Sequence, residues 1–485
     1  MDAKSERFDG DDTDSSGDGD LFLPVEHSNT DDESLSGSFN NGSFHGGSLH
    51  KHSSDGSNKP PTPELLGGYI IYPNFEYERK FVKKNNQECM LILNEIRKLN
   101  LPFPLFRHFC KKDIVQTAFN KLKEYKPDWL NRSHHELKGH PATWWLPSQF
   151  RGKGTQVVTR KNDWWQIDVV IDYFTEYERV RAKKEYANSM EQDWYNDNEL
   201  IKAIKHCETK GIVNCENLRN GMFYVGRELA LFRVTKTKAF LQRILLNDET
   251  GSSVADDFIG LDGKNMRWLD ISAGWGDRVF TACALGLDYL GFDPNQHLEF
   301  GHSEIIRKVG DSRKHKIHYM PFETDKTAQI IADDVKTNGL FDICLTSPPF
   351  YIIERYNGEG QSTESYPEFI TWMVKFLFKS LNTAWTNLKD GGYLAINIAN
   401  IRNCDMVGPM QLFIEDFLPG ASWEGIITFS GRGTQDAPGA LYVWQKLGPS
   451  NSNKESKKPI RWNNRITRSL AQQFPLLHKA YINTL

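Results

Sequence analysis

Residues 268–293, WLDISAGWGDRVFTACALGLDYLGFD, decide the fold. An apolar run ends at Asp270, and a turn containing Ser272, Ala273, Gly274 and Gly276 follows. VFTACALGL has the length and character of a buried helix, and a second apolar run ends at Asp293. Strand, glycine turn, helix and strand make a βαβ unit. Glycines in such a turn let backbone amides approach a ligand closely, at a helix N-terminus that favours an anionic group. Asp293 comes twenty-three residues after Asp270, where an acid can accept both hydroxyls of a ribose. The pattern describes a nucleoside-cofactor site. A dinucleotide site asks for G-x-G-x-x-G, whereas this turn reads S-A-G-W-G-D. The turn alone leaves NAD and S-adenosylmethionine both open.

Outward from this unit, short apolar runs alternate with helix-length segments between about 216 and 447. The runs are MRWLDIS, LDYLGFD, KIHYMPFE, FDICLTS, GYLAINIA, WEGIITFS and ALYVWQK. This alternation predicts an α/β domain with a mostly parallel sheet. The last two runs lie close together and read as an antiparallel pair at the sheet edge. Glu323 ends the third run. Asn397 and Asn400, in GYLAINIAN, read as buried hydrogen-bonding or turn residues at least as readily as site residues.

The second informative stretch is FDICLTSPPFY, 341–351, an apolar strand stopped by Ser347-Pro348-Pro349-Phe350. Two prolines cannot continue a ladder, so they end the strand and stiffen the loop. A loop at the carboxyl end of a parallel strand is where open α/β sheets bind ligands. The exocyclic amine of a base is a poor nucleophile, because its lone pair is delocalised into the ring. If the Ser347 side chain and the Pro348 carbonyl accept its hydrogens, the lone pair is steered toward a methyl donor, and Phe350 offers a stacking face to a flipped base.

Together, Asp270-Ile-Ser-Ala-Gly-Trp-Gly and Ser347-Pro-Pro-Phe resemble the S-adenosylmethionine-dependent amino-methyltransferases of nucleic acids, with their [D/N/S]-P-P-[Y/F/W] motif. The run from Thr346 to Asn400 is similar to phage and large-DNA-virus members. The resemblance covers about 220–447. It implies a class I Rossmann-like methyltransferase domain with S-adenosylmethionine as cofactor. Asp270, Ser272, Ala273, Gly274 and Gly276 would surround its methionine part, Asp293 its ribose and Glu323 or Phe322 its adenine. Ser347, Pro348, Pro349 and Phe350 would meet the target amine. A Ser at the motif's first position favours N4 of cytosine in DNA over N6 of adenine. The competing readings are an RNA adenine-N6 methyltransferase, a protein-glutamine methyltransferase and a catalytically inactive nucleic-acid-binding subunit. The first two usually carry Asn in place of Ser347, and the intact motifs argue against the third. The segment between the two motifs is only long enough for the sheet. Recognition is therefore expected from about 70–215 and from the loop after Phe350, where Glu354, Arg355, Tyr356 and Gln361 could close over the base. RVTKTKAFLQRIL, 233–245, is the nearest match to the family's cofactor-flanking element.

The remaining chain divides by composition. Over 485 residues the net charge is −4, but residues 1–66 carry −10, and 450–485 carry +6 with seven Lys/Arg and one Glu. The first 66 residues are rich in Asp, Ser, Gly and Asn and lack an apolar period, so a disordered acidic tail is expected. Its histidines, at 27, 45, 50 and 52, have no metal-ligand spacing, and no metal site is expected. Residues 67–215 read as a mainly helical accessory domain, 216–448 as the methyltransferase domain and 449–485 as a basic tail. In the accessory part, EYERKFVKKNNQECMLILNEIRKLN predicts a helix with Phe81, Met90, Ile92 and Ile96 inward, broken by LPFP at 101–104. DIVQTAFNKLKEY predicts another, with Asp113 as N-cap. IDVVIDYFTEYERVRAKKEYANS predicts a strand running into a helix. Six of the 13 Trp lie between 129 and 194. They read mostly as core, with the basic stretch 151–162 set aside as a backbone-contacting loop. Seven cysteines without a C-x-x-C pair point to a reducing, intracellular setting. No apolar run reaches the length of a membrane span, so no membrane partner is expected; nucleic acid as partner, DNA rather than RNA, is what the resemblance implies.

Overall fold

The computed structural model describes residues 64–66, 69–71, 78–83, 85–101, 103, 114–132, 150–151, 155–159, 165–184, 187–226, 229, 231–248, 254–260, 262–401, 404–429, 439–448 and 469–485. Residues 1–63 of the expected acidic tail, Asp113, Trp144, Trp145, Trp164, His27, His45, His50 and His52 lie outside the described residues; the tail's last three residues, Glu64–Leu66, are not disordered but pair antiparallel with Tyr69–Ile71. Nine strands form the main sheet: β1 (Asp128–Arg132), β2 (Thr155–Thr159), β3 (Arg267–Asp270), β4 (Asp288–Phe292), β5 (His315–His318), β6 (Phe341–Thr346), β7 (Leu388–Asn397), β8 (Ala421–Phe429) and β9 (Gly439–Lys446). Their spatial order is β5-β4-β3-β6-β7-β9-β8-β2-β1. Strands β3 to β7 are parallel, and β9 runs antiparallel to both β7 and β8. The first seven positions of this order, with one reversed strand, are the class I Rossmann-like methyltransferase fold.

Both faces of the sheet are buried, so its strands read as nearly continuous apolar runs. Side chains still alternate with a period of two. Leu269, Leu290, Phe292, Cys344, Leu394 and Ile396 enter one core, while Trp268, Tyr289, Ile343, Leu345 and Ala395 enter the other. Helices Val407–Phe417 and Pro475–Ile482 cover the first face; Ile114–Glu124, Val234–Leu245 and Asp277–Leu285 cover the second. A third apolar cluster joins Asn86–Leu99, Met190–Trp194, Asp197–Cys207 and Cys215–Val225. Trp194 is fully buried there and donates to the Leu101 carbonyl at 3.2 Å, a core tryptophan as expected.

All seven predicted strands are present, but five local expectations change. The β8–β9 pair is antiparallel, yet it is not the edge. Residues 155–159 pair parallel to β8, and β1 then pairs with β2. Val157 and Val158, within the stretch set aside as a backbone-contacting loop, belong to this sheet. The segment from Ile167 is helical from its start. Its buried positions Ile167, Val170, Ile171 and Phe174 follow helical and not strand spacing. The first accessory helix begins only at Asn86, capped by Asn85, because Glu78–Lys80 pairs with Ile212–Asn214. Met90 faces solvent, and Cys89 and Leu93 take the inward positions beside Ile92 and Ile96. Among the described residues, no helix is long and apolar enough to cross a membrane.

Candidate active site

The chain reverses its direction of progress across the sheet between β3 and β6, which lie side by side. A crevice at such a switch point, outside the carboxyl ends of the strands, is the usual ligand site of an open α/β sheet. A pocket lies there, with about 610 Å³ of empty space counted out to its open mouth. Ser272, Gly274, Asp293, Glu323, Ser347 and Pro349 all line it. Residues from the ends of four different strands, separated by up to 77 positions in the chain, therefore converge on one cavity.

Asp270, Ala273, Gly276, Pro348 and Phe350 are not among the residues that line the pocket. Asp270 is fully buried and accepts from Arg278 Nε at 2.6 Å, from the Tyr289 hydroxyl at 2.7 Å and from the Ser272 amide at 3.2 Å. It anchors the turn from below. Arg278 also donates to the Ser272 carbonyl. Burial works against its charge, but Asp270 and Asp277 outweigh burial and raise its pKa. Ala273 donates its amide to the Phe292 carbonyl at 2.7 Å, which ties the turn to β4. Gly276 has φ +104°, and a Cβ there would come within 2.6 Å of Ile305 Cδ1. A glycine is needed for both the backbone conformation and the contact. Pro348 is buried, and Phe350 is half-buried against the core.

Asp293 is the most informative titratable group in the pocket. It is only 9% exposed. One carboxylate oxygen accepts from the Gly274 amide at 2.8 Å and the other from the Asn295 amide at 3.0 Å. Burial nevertheless pushes its pKa up to about 6. Glu323 is also buried, and burial raises its pKa as well. Behind the turn, His302 contacts the Gly274 carbonyl through Nε2 at 2.9 Å and the Tyr319 hydroxyl through Nδ1 at 3.2 Å. Burial lowers its pKa to about 4, so the ring is neutral. A carbonyl can only accept, so the proton is on Nε2.

Several lining residues were not singled out in the sequence: Trp275, Asn295, Leu298, Pro321 and Ser362. Asn295 carried a usable signal, since it follows Asp293 by two residues on the loop leaving β4. It donates to the buried Glu178 at 3.0 Å, joining the pocket to helix Asp172–Arg179. Of the four residues expected to close over the base, Tyr356 and Gln361 line the pocket. Glu354 instead accepts from the Tyr356 hydroxyl, and Arg355 is exposed. Glu354–Arg355 pairs antiparallel with Lys183–Lys184, so this loop is tied to the accessory part of the chain. Tyr351, directly after the tetrad, has φ +50°, a conformation costing about 1–3 kcal/mol for such a residue. Packing on Phe369 and Trp372 and a hydrogen bond to the Pro367 carbonyl hold it there. Helix Val234–Leu245 packs in the second core and contributes nothing to the lining.

No family model and no curated protein matches the chain. Similar solved structures include an rRNA methylase from Streptococcus thermophilus, 14% identical, covering 38% of this chain and 87% of that one at a TM-score of 0.25. A SAM-dependent methyltransferase from Agrobacterium tumefaciens is 13% identical, with coverage of 46% and 65% and a TM-score of 0.29. A SAM-dependent methyltransferase from Neisseria gonorrhoeae is 15% identical, with coverage of 47% and 79% and a TM-score of 0.27. At these scores the likenesses carry no weight of their own, and the fold assignment rests on the strand order and directions.

Proposed function

We propose that the protein is an S-adenosylmethionine-dependent methyltransferase acting on the exocyclic amine of a base in nucleic acid, with N4 of cytosine in DNA the favoured target. The charge of the pocket is the observation that carries this reading. Among the described residues its lining includes two buried carboxylates, Asp293 and Glu323, and no Lys or Arg. A pyrophosphate would meet like charge there, whereas a cationic sulfonium nucleoside meets its complement. Burial raises the Asp293 pKa, and the two hydroxyls of a ribose would add donors to the Gly274 and Asn295 amides from which its carboxylate already accepts. The residues present therefore fit S-adenosylmethionine and disfavour a dinucleotide.

Ser272 and Gly274 would hold the amino-acid part, Asp293 the ribose and Glu323 with Phe322 the adenine. When bound, S-adenosylmethionine would supply an electrophilic methyl group on a sulfonium, open to the lone pair of an amine. Ser347 and the Pro348 carbonyl accept the two hydrogens of that amine and orient its lone pair. Phe350 supplies the stacking face for the base. The methylated nitrogen is acidic, so its surplus proton passes to water at the open mouth without a strong base.

The test is incubation with labelled S-adenosylmethionine and DNA or RNA, followed by mass spectrometry of the digested nucleosides. N4-methylcytosine in DNA is the expected product. N6-methyladenine, in DNA or RNA, would keep the chemistry and correct the target. Ser347→Ala should bind the cofactor normally and transfer methyl about 10²- to 10³-fold more slowly, the scale of losing one preorganised polar contact. Wild-type rates from this variant would reduce the tetrad to a proline turn.

A further inference from the structure

We infer that Asn397 is a positioning residue that commits the Ser347 hydroxyl to accepting, so that the site takes a base presenting an amine and turns away one presenting a carbonyl at the same place. This rests on the reading of Ser347 given above. The Ser347 hydroxyl lies 3.3 Å from Asn397 Oδ1, and Asn397 Nδ2 lies 2.8 Å from the Ala440 carbonyl oxygen. The orientation of the Asn397 amide follows from its partners. A carbonyl only accepts, so the atom facing Ala440 must be the NH2, and the atom facing Ser347 must be the oxygen. Asn397 Oδ1 carries no hydrogen, so the contact with Ser347 exists only if the hydroxyl donates its single proton into it. Both lone pairs of Ser347 Oγ then remain for whatever enters the pocket.

The arrangement is held from two sides. Asn397 is 7% exposed, at the last position of β7. Its strand pairs with β6, which delivers Ser347, and with β9, which delivers Ala440. Its rotation would place two acceptors against each other at Ala440 in a buried setting, a costly exchange. A serine without such a partner rotates to suit either a donor or an acceptor. With its proton committed, Ser347 meets a carbonyl oxygen as a second acceptor and repels it. Asn400, three residues on, has a different role: it accepts from the amides of Met406 and Val407 and starts the next helix.

Calorimetric titrations with mononucleotides test this without any turnover. The pairs are dCMP against dUMP and dAMP against dIMP, each differing by an amine or a carbonyl at one position, in the presence of S-adenosylhomocysteine. Wild type should bind the amine member of the accepted pair about tenfold more tightly, the scale of one net hydrogen bond. Asn397→Leu, which frees the Ser347 proton, should reduce that preference to about twofold. If Asn397→Leu fails to fold, Ser347→Ala decides, because it leaves the Asn397–Ala440 bond intact and must lose the same preference. Equal binding of amine and carbonyl by wild type overturns the inference, as does a full preference in folded Asn397→Leu. Either result leaves methyl transfer to a base standing. The absence of transfer by wild type to DNA and RNA would instead overturn the underlying reading.

Discussion

Replacing Asp293 by Asn should remove a pH-dependent loss of stability from the ligand-free protein. Burial holds the Asp293 pKa near 6, whereas an unfolded Asp titrates near 3.9. Because the folded value is the higher one, the folded state binds the proton more tightly. The stabilisation is complete below about pH 4 and is lost as pH rises through about 6. Across roughly two pH units, at about 1.4 kcal/mol per unit, the loss amounts to about 3 kcal/mol. The Asn variant has no such proton. It also places an NH2 against one of two backbone amides, Gly274 or Asn295. That penalty, about 1–3 kcal/mol, does not vary with pH. The quantity to measure is therefore the difference in unfolding free energy between wild type and Asp293→Asn, by urea titration at pH 4, 5, 6 and 7. It should move by about 3 kcal/mol against wild type as pH rises, whatever its absolute offset. The same ionisation should make S-adenosylmethionine binding release a proton near pH 6, visible as a dependence of binding heat on buffer ionisation enthalpy. A difference that stays flat with pH would refute the assignment of a raised pKa to Asp293 and, with it, this account of why the pocket wants hydroxyl donors.

Gly276→Ala should destabilise by about 2–4 kcal/mol, adding backbone strain at φ +104° to overlap with Ile305, and thermal melting measures it. Its partner test, Ala284→Gly in the helix that follows, should cost only about 1 kcal/mol, which separates a special backbone position from general sensitivity. Arg278→Met leaves Asp270 buried with only the Tyr289 hydroxyl and the Ser272 amide. A loss of about 3–5 kcal/mol in denaturant unfolding is expected.

The parallel strands were legible because each is a short apolar run ending at a chemical landmark. Asp270, Asp293, Glu323 and Ser347 end, or closely follow, four of these runs, and the fold gathers all four around the switch point. Strands β1 and β2 were not legible. TQVVT is short and flanked by glycine and basic residues, and its partner, β8, lies some 270 residues later, so no local pattern announces the pairing. The strand expected at Ile167 failed for a related reason. Val169, Val170 and Ile171 are β-branched, which favours a strand locally, but their burial against the sheet follows helical spacing. Within the site, the spacing of Asp270 and Asp293 located the pocket but not the division of labour between them. One carboxylate faces the cavity and the other is fully hydrogen-bonded beneath the turn, a distinction set by Arg278 and Tyr289 eight and nineteen residues away. Asn397 looked like an ordinary buried amide, and it is one toward Ala440; only the adjacency of β6 and β7 brings its other end to Ser347.

The pairing of β2 with β8 also has a consequence for the time course of synthesis. Gln156 meets Ile427 across the sheet, so 271 residues must be added before the partner of this strand exists. At about 5–20 residues per second, that is a delay of roughly 14 to 54 s. During this interval strand β2 has been made, but the strand it pairs with has not. Long-range pairing of this kind slows folding and exposes strand edges to other chains. A nascent-chain series arrested at increasing lengths should therefore remain protease-sensitive at 155–159 until the β8–β9 hairpin has cleared the exit tunnel. Holdase chaperones should engage the shorter chains and release the longer ones.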